Sequence, residues 1–245
     1  MKRICGTFLI AFFSTLSLGF GASFSTSATA DAFVATGPTR NLSDNNYGGG
    51  GALAIAASGL TNGEFQTVIT FNLSGVRGSL DAVYGPGQWT VGSAALQLTS
   101  SAHNNVIYND IVPGMFNVSL MQNSSWIEGT GNASNPATNG ITYNTLQSTY
   151  INNAADQALG TFNFPGGSTG ANTYTLMLSP GLTADILNGS IASLRLFAAD
   201  NNISYLFSSR AMSAPNQPQL IITAVPEPSS LALFGLTLLL LRRRR

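Results

Sequence analysis

The chain reads as all-β: an antiparallel β-sandwich, jelly-roll-like, with one or two short helices. Three observations predict this. Short apolar or alternating runs recur between clusters of Gly, Asn, Ser and Pro, which is the pattern of strands joined by turns. No repeat of fixed period is visible, so a solenoid or propeller is not expected. Of 245 residues, 44% are hydrophobic and only 8% charged, so a core can be buried while amides and hydroxyls solvate the surface.

Nine strands follow in order. Residues 52–57 form a short apolar run after a glycine cluster. In 65–73, Thr67, Ile69 and Phe71 alternate with Val68, Thr70 and Asn72, as the two faces of a strand require. Residues 89–99, 115–122, 159–164 and 173–178 are further apolar or alternating runs between turn residues. In 193–199, Leu194, Leu196 and Ala198 alternate with Arg195 and Phe197; 204–207 and 219–224 complete the set. One helix is expected around 146–159 and another over 182–188, capped by Thr183 and ended by Gly189.

Both chain ends read as addresses. Lys2 and Arg3, the largely apolar stretch 8–20 and Ala28-Thr29-Ala30 compose a secretory signal with a signal helix. The expected cut follows Ala30, with Ala22 as the alternative. Cys5, the only cysteine, precedes the apolar run, so lipidation is not expected, and it leaves with the signal. At the other end, Val225-Pro226-Glu227-Pro228-Ser229 precedes a hydrophobic helix over 230–241 and then Arg242, Arg243, Arg244 and Arg245. An apolar run of about 11 residues is roughly 17 Å long as a helix, short of the ~20 residues of a comfortable span. With the arginines snorkelling it crosses a locally thinned bilayer, and the positive-inside rule keeps them cytoplasmic as a stop. The domain plan is therefore a signal over 1–30, a β domain over 31–224 and a tail over 225–245.

The tail resembles the PEP-CTERM sorting signal, which combines a Pro-Glu-Pro motif, a short hydrophobic helix and a basic cluster. The resemblance implies recognition by an exosortase in a Gram-negative, exopolysaccharide-producing bacterium. It also implies removal of the tail near Pro226 to Ser229, transient anchoring in the cytoplasmic membrane, and a mature form at the cell surface or outside the cell. The body resembles a DNRLRE-type domain in a succession of blocks. These are Asp31-Ala32-Phe33-Val34, Asn45-Asn46-Tyr47-Gly48, FQTVITFNL from Phe65, Ser93 to Leu98, Trp126-Ile127-Glu128-Gly129-Thr130 with Gly140 to Tyr143, Ser193 to Leu196, Phe207 to Arg210, and Gln217 to Leu220. Gln66 and Asn72 stand where that family commonly has Arg and Asp, and Ala211 stands where it has an acid. The resemblance implies an extracellular β-sandwich, with some relatives binding polysaccharide.

The chemistry-bearing residues are few. From Asp31 to Val225 there are four arginines, no lysine and nine carboxylates, a net charge of −5. A nucleic-acid partner, which needs a basic stripe, is excluded. His103 is the only histidine, in a polar stretch without a nucleophile elbow, so a catalytic triad is not expected. Trp126 and Glu128 lie two apart, on one face of an extended segment. With Tyr143 they are the candidate glycan-binding residues. The competing reading makes Trp126 a core plug and Glu128 an acceptor of backbone or Arg hydrogen bonds. Asp31, Asp44, Asn45, Asn46 and Asp200 to Asn202 offer oxygens of the kind calcium takes, but without EF-hand spacing, and such clusters commonly make turns. No catalytic residue, metal or cofactor is expected. The expected function is that of an exported, non-catalytic surface or matrix protein associated with exopolysaccharide. A carbohydrate-binding module and a polysaccharide-cleaving enzyme are the alternatives.

Overall fold

The fold, taken from a computed structural model, is described for residues 21–37, 41–101, 112–167 and 170–227. The signal helix, His103, the hydrophobic helix over 230–241 and the terminal arginines lie outside these residues. Among the described residues, no helix is long and apolar enough to cross a membrane.

Ten antiparallel strands build the domain: β1 (Ala22–Ala35), β2 (Ala52–Ala56), β3 (Phe65–Asn72), β4 (Trp89–Ser100), β5 (Gly114–Met121), β6 (Gln157–Phe164), β7 (Gly170–Leu176), β8 (Ile191–Ala198), β9 (Ser204–Ser208) and β10 (Gln219–Pro226). One layer runs β1–β10–β4–β7 and the other β1–β3–β8–β5–β6. The β2–β9 ribbon joins the layers, pairing with β3 through Ala56 and with β4 through Phe207. The expectation of an antiparallel β-sandwich holds.

Strand β1 belongs to both layers. Ala22 to Ser27 pair with Ala224 to Gln219 of β10. After a bulge between Ala28 and Ala30, Ala30 to Ala35 pair with Thr70 to Phe65 of β3. A bulge bends and twists a strand, which lets it leave one layer for the other. This strand is the main departure from the sequence reading, which assigned its first half to the signal. Ser and Thr crowd that half, and its one-sided alternation with small residues gives little hydrophobic contrast.

The interior between the layers holds Phe71, Leu96, Leu98, Phe116, Phe164, Tyr205 and Phe207, all fully buried. Phe164 stacks on Tyr205 with centroids 3.9 Å apart, and Tyr174 meets Phe116 edge-on at 5.0 Å. These residues alternate with outward ones along each strand, as two packed sheets require. Strand β3 is buried on both faces until Asn72. Its outward Val68 packs with Ala32, Val34 and Met121 beneath Trp126, Ile141 and Leu146. The long excursion from β5 to β6 therefore covers the outer face of this layer.

Helix α1 (Ser74–Tyr84) was not expected. It buries Val76 and Leu80, one turn apart, and Gly75 and Gly78 obscure its pattern in the sequence. The helix expected around 146–159 shrinks to α2 (Tyr143–Thr145), which runs into a π turn over Leu146–Tyr150. Thr142 and Thr145 close a reciprocal cap at its start, and β6 already begins at Gln157. Helix α3 (Pro180–Asn188) ends at left-handed Gly189 as expected. Its cap is Ser179 rather than Thr183: the Leu182 N–H donates to Ser179 Oγ at 3.2 Å, with Pro180 in the first turn.

Candidate functional site

Two regions carry candidate function: the exit of the C-terminal tail and the outer face of the β1–β3–β8–β5–β6 layer.

The sorting motif begins inside the sheet. Val225 pairs with Thr90 and Pro226 with Trp89, and the Glu227 N–H donates to the Gln88 carbonyl at 2.9 Å. Trp89 is itself fixed, its Nε1–H donating to Asp81 Oδ1 at 2.8 Å. Tyr84, the last residue of α1, joins the two chain ends. Its hydroxyl accepts from the Ala22 N–H at 2.6 Å and donates to the Ala224 carbonyl at 3.1 Å. Pro226 has no N–H to lose and suits the last position of a strand. Pro228 and Ser229 lie outside the described residues. The tail thus leaves the domain from the hydrogen-bonded end of β10, directly beside the start of β1.

On the outer face, Trp126 is buried, and its indole N–H donates to Ser193 Oγ at 2.7 Å. Its ring packs with Ala32, Val34, Val68, Met121, Ile141 and Leu146 and presents no open platform. Replacing a buried Trp by Ala typically costs ~3–5 kcal/mol. Trp126→Ala is therefore expected to lower the denaturant midpoint sharply; retained stability with loss of glycan binding would instead make it a platform.

Glu128 turns the other way, despite its spacing from Trp126. Gly129, at φ +76°, follows it, so the segment is not a regular strand. The Glu128 carboxylate receives both Arg210 Nε, at 2.7 Å, and Arg210 Nη2, in a bidentate ion pair. It also accepts the Asp31 N–H at 3.2 Å. Asp31 is buried, and its Oδ2 accepts the Arg210 N–H at 2.6 Å. Burial, followed by the neighbouring Glu128 charge, outweighs Arg210 and pushes the Asp31 carboxyl up to about 7.

Tyr143 belongs to a second polar chain. Its hydroxyl donates to Glu64 Oε2 at 2.8 Å, Gln66 Nε2 donates to Glu64 Oε1, and Arg195 Nε donates to Gln66 Oε1 at 2.8 Å. The Arg195 guanidinium lies 4.1 Å from the Phe197 ring centroid. Burial and the Glu64 carboxylate raise the Tyr143 hydroxyl to about 12, and burial lowers the Arg195 guanidinium. Gln66 thus joins a cation and an anion.

The residue that sequence reasoning undervalued is Asn46. It is fully buried, and its side chain makes four hydrogen bonds. Nδ2 donates to the Glu128 carbonyl at 2.6 Å and the Ile141 carbonyl at 2.8 Å; Oδ1 accepts from Gly48 and Gly131 N–H at 3.2 and 3.1 Å. A Cβ on Gly131 would lie 2.0 Å from the Asn46 carbonyl oxygen, and one on Gly129 2.3 Å from its Oδ1. Two motifs far apart in sequence, Asn45-Asn46-Tyr47-Gly48 and the block from Trp126, are therefore two halves of one clamp. Its amide is saturated by protein groups, leaving no ligand oxygen to offer a cation. Asp200 likewise accepts Met115, Asn202 and Ile203 N–H groups in a turn. Among the described residues, no group of three His, Cys, Asp or Glu side chains could hold a metal.

Residues 224–245 match the PEP-CTERM protein-sorting motif. No curated protein matches the chain. The motif marks an exosortase-targeted extracellular protein, exported and held in the membrane as a precursor before processing.

Proposed function

We propose that this chain is a non-catalytic protein of the cell surface or extracellular matrix of a Gram-negative bacterium, associated with exopolysaccharide after its tail is removed. The observation that carries the reading is the sorting motif at residues 224–245, which continues without a linker from core strand β10. A domain built directly onto its address is itself the cargo.

The side chains support a non-catalytic role. Glu128 is held by Arg210, Glu64 by Tyr143 and Gln66, Asp81 by Trp89, and Asp156 and Asp200 by backbone N–H groups. These carboxylates are occupied as structural acceptors, whereas glycosidic cleavage needs two of them facing one bond. For glycan association, the support is a surface of uncharged hydrogen-bonding pairs, such as Ser23 with Thr223 and Thr161 with Asn117. Such pairs exchange bonds with sugar hydroxyls and are insensitive to salt.

The test is co-sedimentation of mature protein with exopolysaccharide purified from a producing strain, followed by measurement of polymer length. Saturable binding at unchanged length is expected. Shortened polymer would overturn the non-catalytic reading, and absence of binding would overturn the glycan association. An intact residue 245 in protein recovered from outside the cell would overturn processing of the tail.

A further inference from the structure

The start of β1 has a consequence for how the precursor is cut. We propose that signal peptidase hydrolyses the Gly21–Ala22 bond, so that the mature chain begins at Ala22, the first residue of the sheet. The proposal rests on the export reading above and adds the processing site.

A leader is removed from the domain, so no residue of it can be an integral part of the fold. Residues 22–30 are integral. Six of them pair with β10, and Ala28 pairs with Phe71 of β3. Ala28 is buried and Phe24 packs against the main core. Thr26 and Thr29 donate to the Asn72 and Thr70 carbonyls at 3.2 and 3.1 Å. A cut after Ala30 would strip β10 of one neighbour and uncover Leu220, Ile222 and Ala224, all fully buried. It would also expose a row of unpaired backbone groups along β10, the hazard of any bare strand edge.

The small residues that mimic a cleavage site at Ala28-Thr29-Ala30 have another explanation. Ala28 is a buried core residue paired with Phe71 where the strand bulges from one layer to the other, and Ala30 packs at the edge of the outer cluster under Trp126. A second small-x-small sequence, Gly19-Phe20-Gly21, stands immediately before β1. A cut after Ala22 would put bulky Phe20 at the third position before the bond; a cut after Gly21 puts Gly19 there. In the reaction, water adds to the Gly21 carbonyl carbon and the C–N bond breaks. Gly21 leaves as a carboxylate and the nitrogen stays on Ala22 as an ammonium. Tyr84 Oη is already 2.6 Å from that nitrogen, placed to accept a hydrogen bond from the new terminus.

The experiment expresses the full chain with its own leader in a Gram-negative host and reads the exported product by N-terminal sequencing and intact mass. A start at Ala22 is expected. An exported, folded product starting at Asp31, or at any other residue, overturns the site while leaving export intact; a chain retained in the cytoplasm with its leader overturns both. Two variants add an independent readout. Gly21→Val is expected to accumulate uncleaved precursor, and Ala30→Val to mature as the unaltered chain does. Precursor accumulation in Ala30→Val alone overturns the proposal.

Discussion

Asn46→Ala is expected to lower the unfolding free energy by about 4 kcal/mol, among the largest losses available from a single polar side chain in this fold. The change leaves two carbonyls, of Glu128 and Ile141, and two N–H groups, of Gly48 and Gly131, without their partner in a buried site. Each orphaned buried group costs ~1–3 kcal/mol, part of which relaxation recovers. Because the clamp holds Glu128 in place, the Arg210 ion pair should loosen as well. Urea denaturation of the mature domain measures the loss. A change below ~1 kcal/mol would mean that water replaces the amide and that the clamp is not rigid. Asn46→Asp is the sharper variant, since it removes both donors and buries a charge.

The second large effect is a dependence of stability on pH set by Asp31. Its carboxyl rises from 3.8 to about 7 on folding. Between those values the folded chain keeps a proton that the unfolded chain has lost. Stability is therefore greatest below pH ~4 as far as this group is concerned and falls as pH rises towards ~7, by on the order of 4 kcal/mol in total. Above that pH the contribution is constant. Asp31→Asn removes the titration while keeping an oxygen for the Arg210 N–H. The variant is expected to be more stable than the unaltered chain at pH 8 and to have a flatter profile from pH 4 to 8. Denaturant midpoints across that range measure both curves. A variant whose profile matches the unaltered chain would assign the dependence to another group.

How much of this was legible from the sequence depended on whether the signal was local. Strand β3 was legible because Thr67, Ile69 and Phe71 alternate with their neighbours, and the expected 65–73 overshoots the strand by one residue. The end of α3 was legible because a left-handed residue after a helix is so often glycine. The first half of β1 was not. Ser23, Ser25 and Ser27 look like the polar region of a leader until β10, nearly 200 residues away, supplies their partner. Helix α1 was hidden because Gly75 and Gly78 lower its propensity, and packing of Val76 and Leu80 overrides them. The spacing of Trp126 and Glu128 suggested one shared face, which a continuous strand would give. Gly129 and the Asn46 clamp bend the segment, so the indole goes into the core and the carboxylate goes to Arg210.

The adjacency of Ala22 and Ala224 at one end of the sheet decides how the domain bears tension. Backbone hydrogen bonds in an antiparallel pair lie perpendicular to the strands. Were both chain ends held in the membrane, a pull between them would open the β1–β10 pair from Ala22 onward, one bond at a time, like a zipper. Once the leader is gone, only β10 transmits load. While the tail is still anchored, a load applied near Pro218 pulls β10 along its own axis between β1 and β4. The bonds to both neighbours are sheared together and must fail together. Survival under such force is a matter of unfolding rate rather than equilibrium stability. A load carried along β10 alone is therefore resisted more strongly than a pull between the two chain ends.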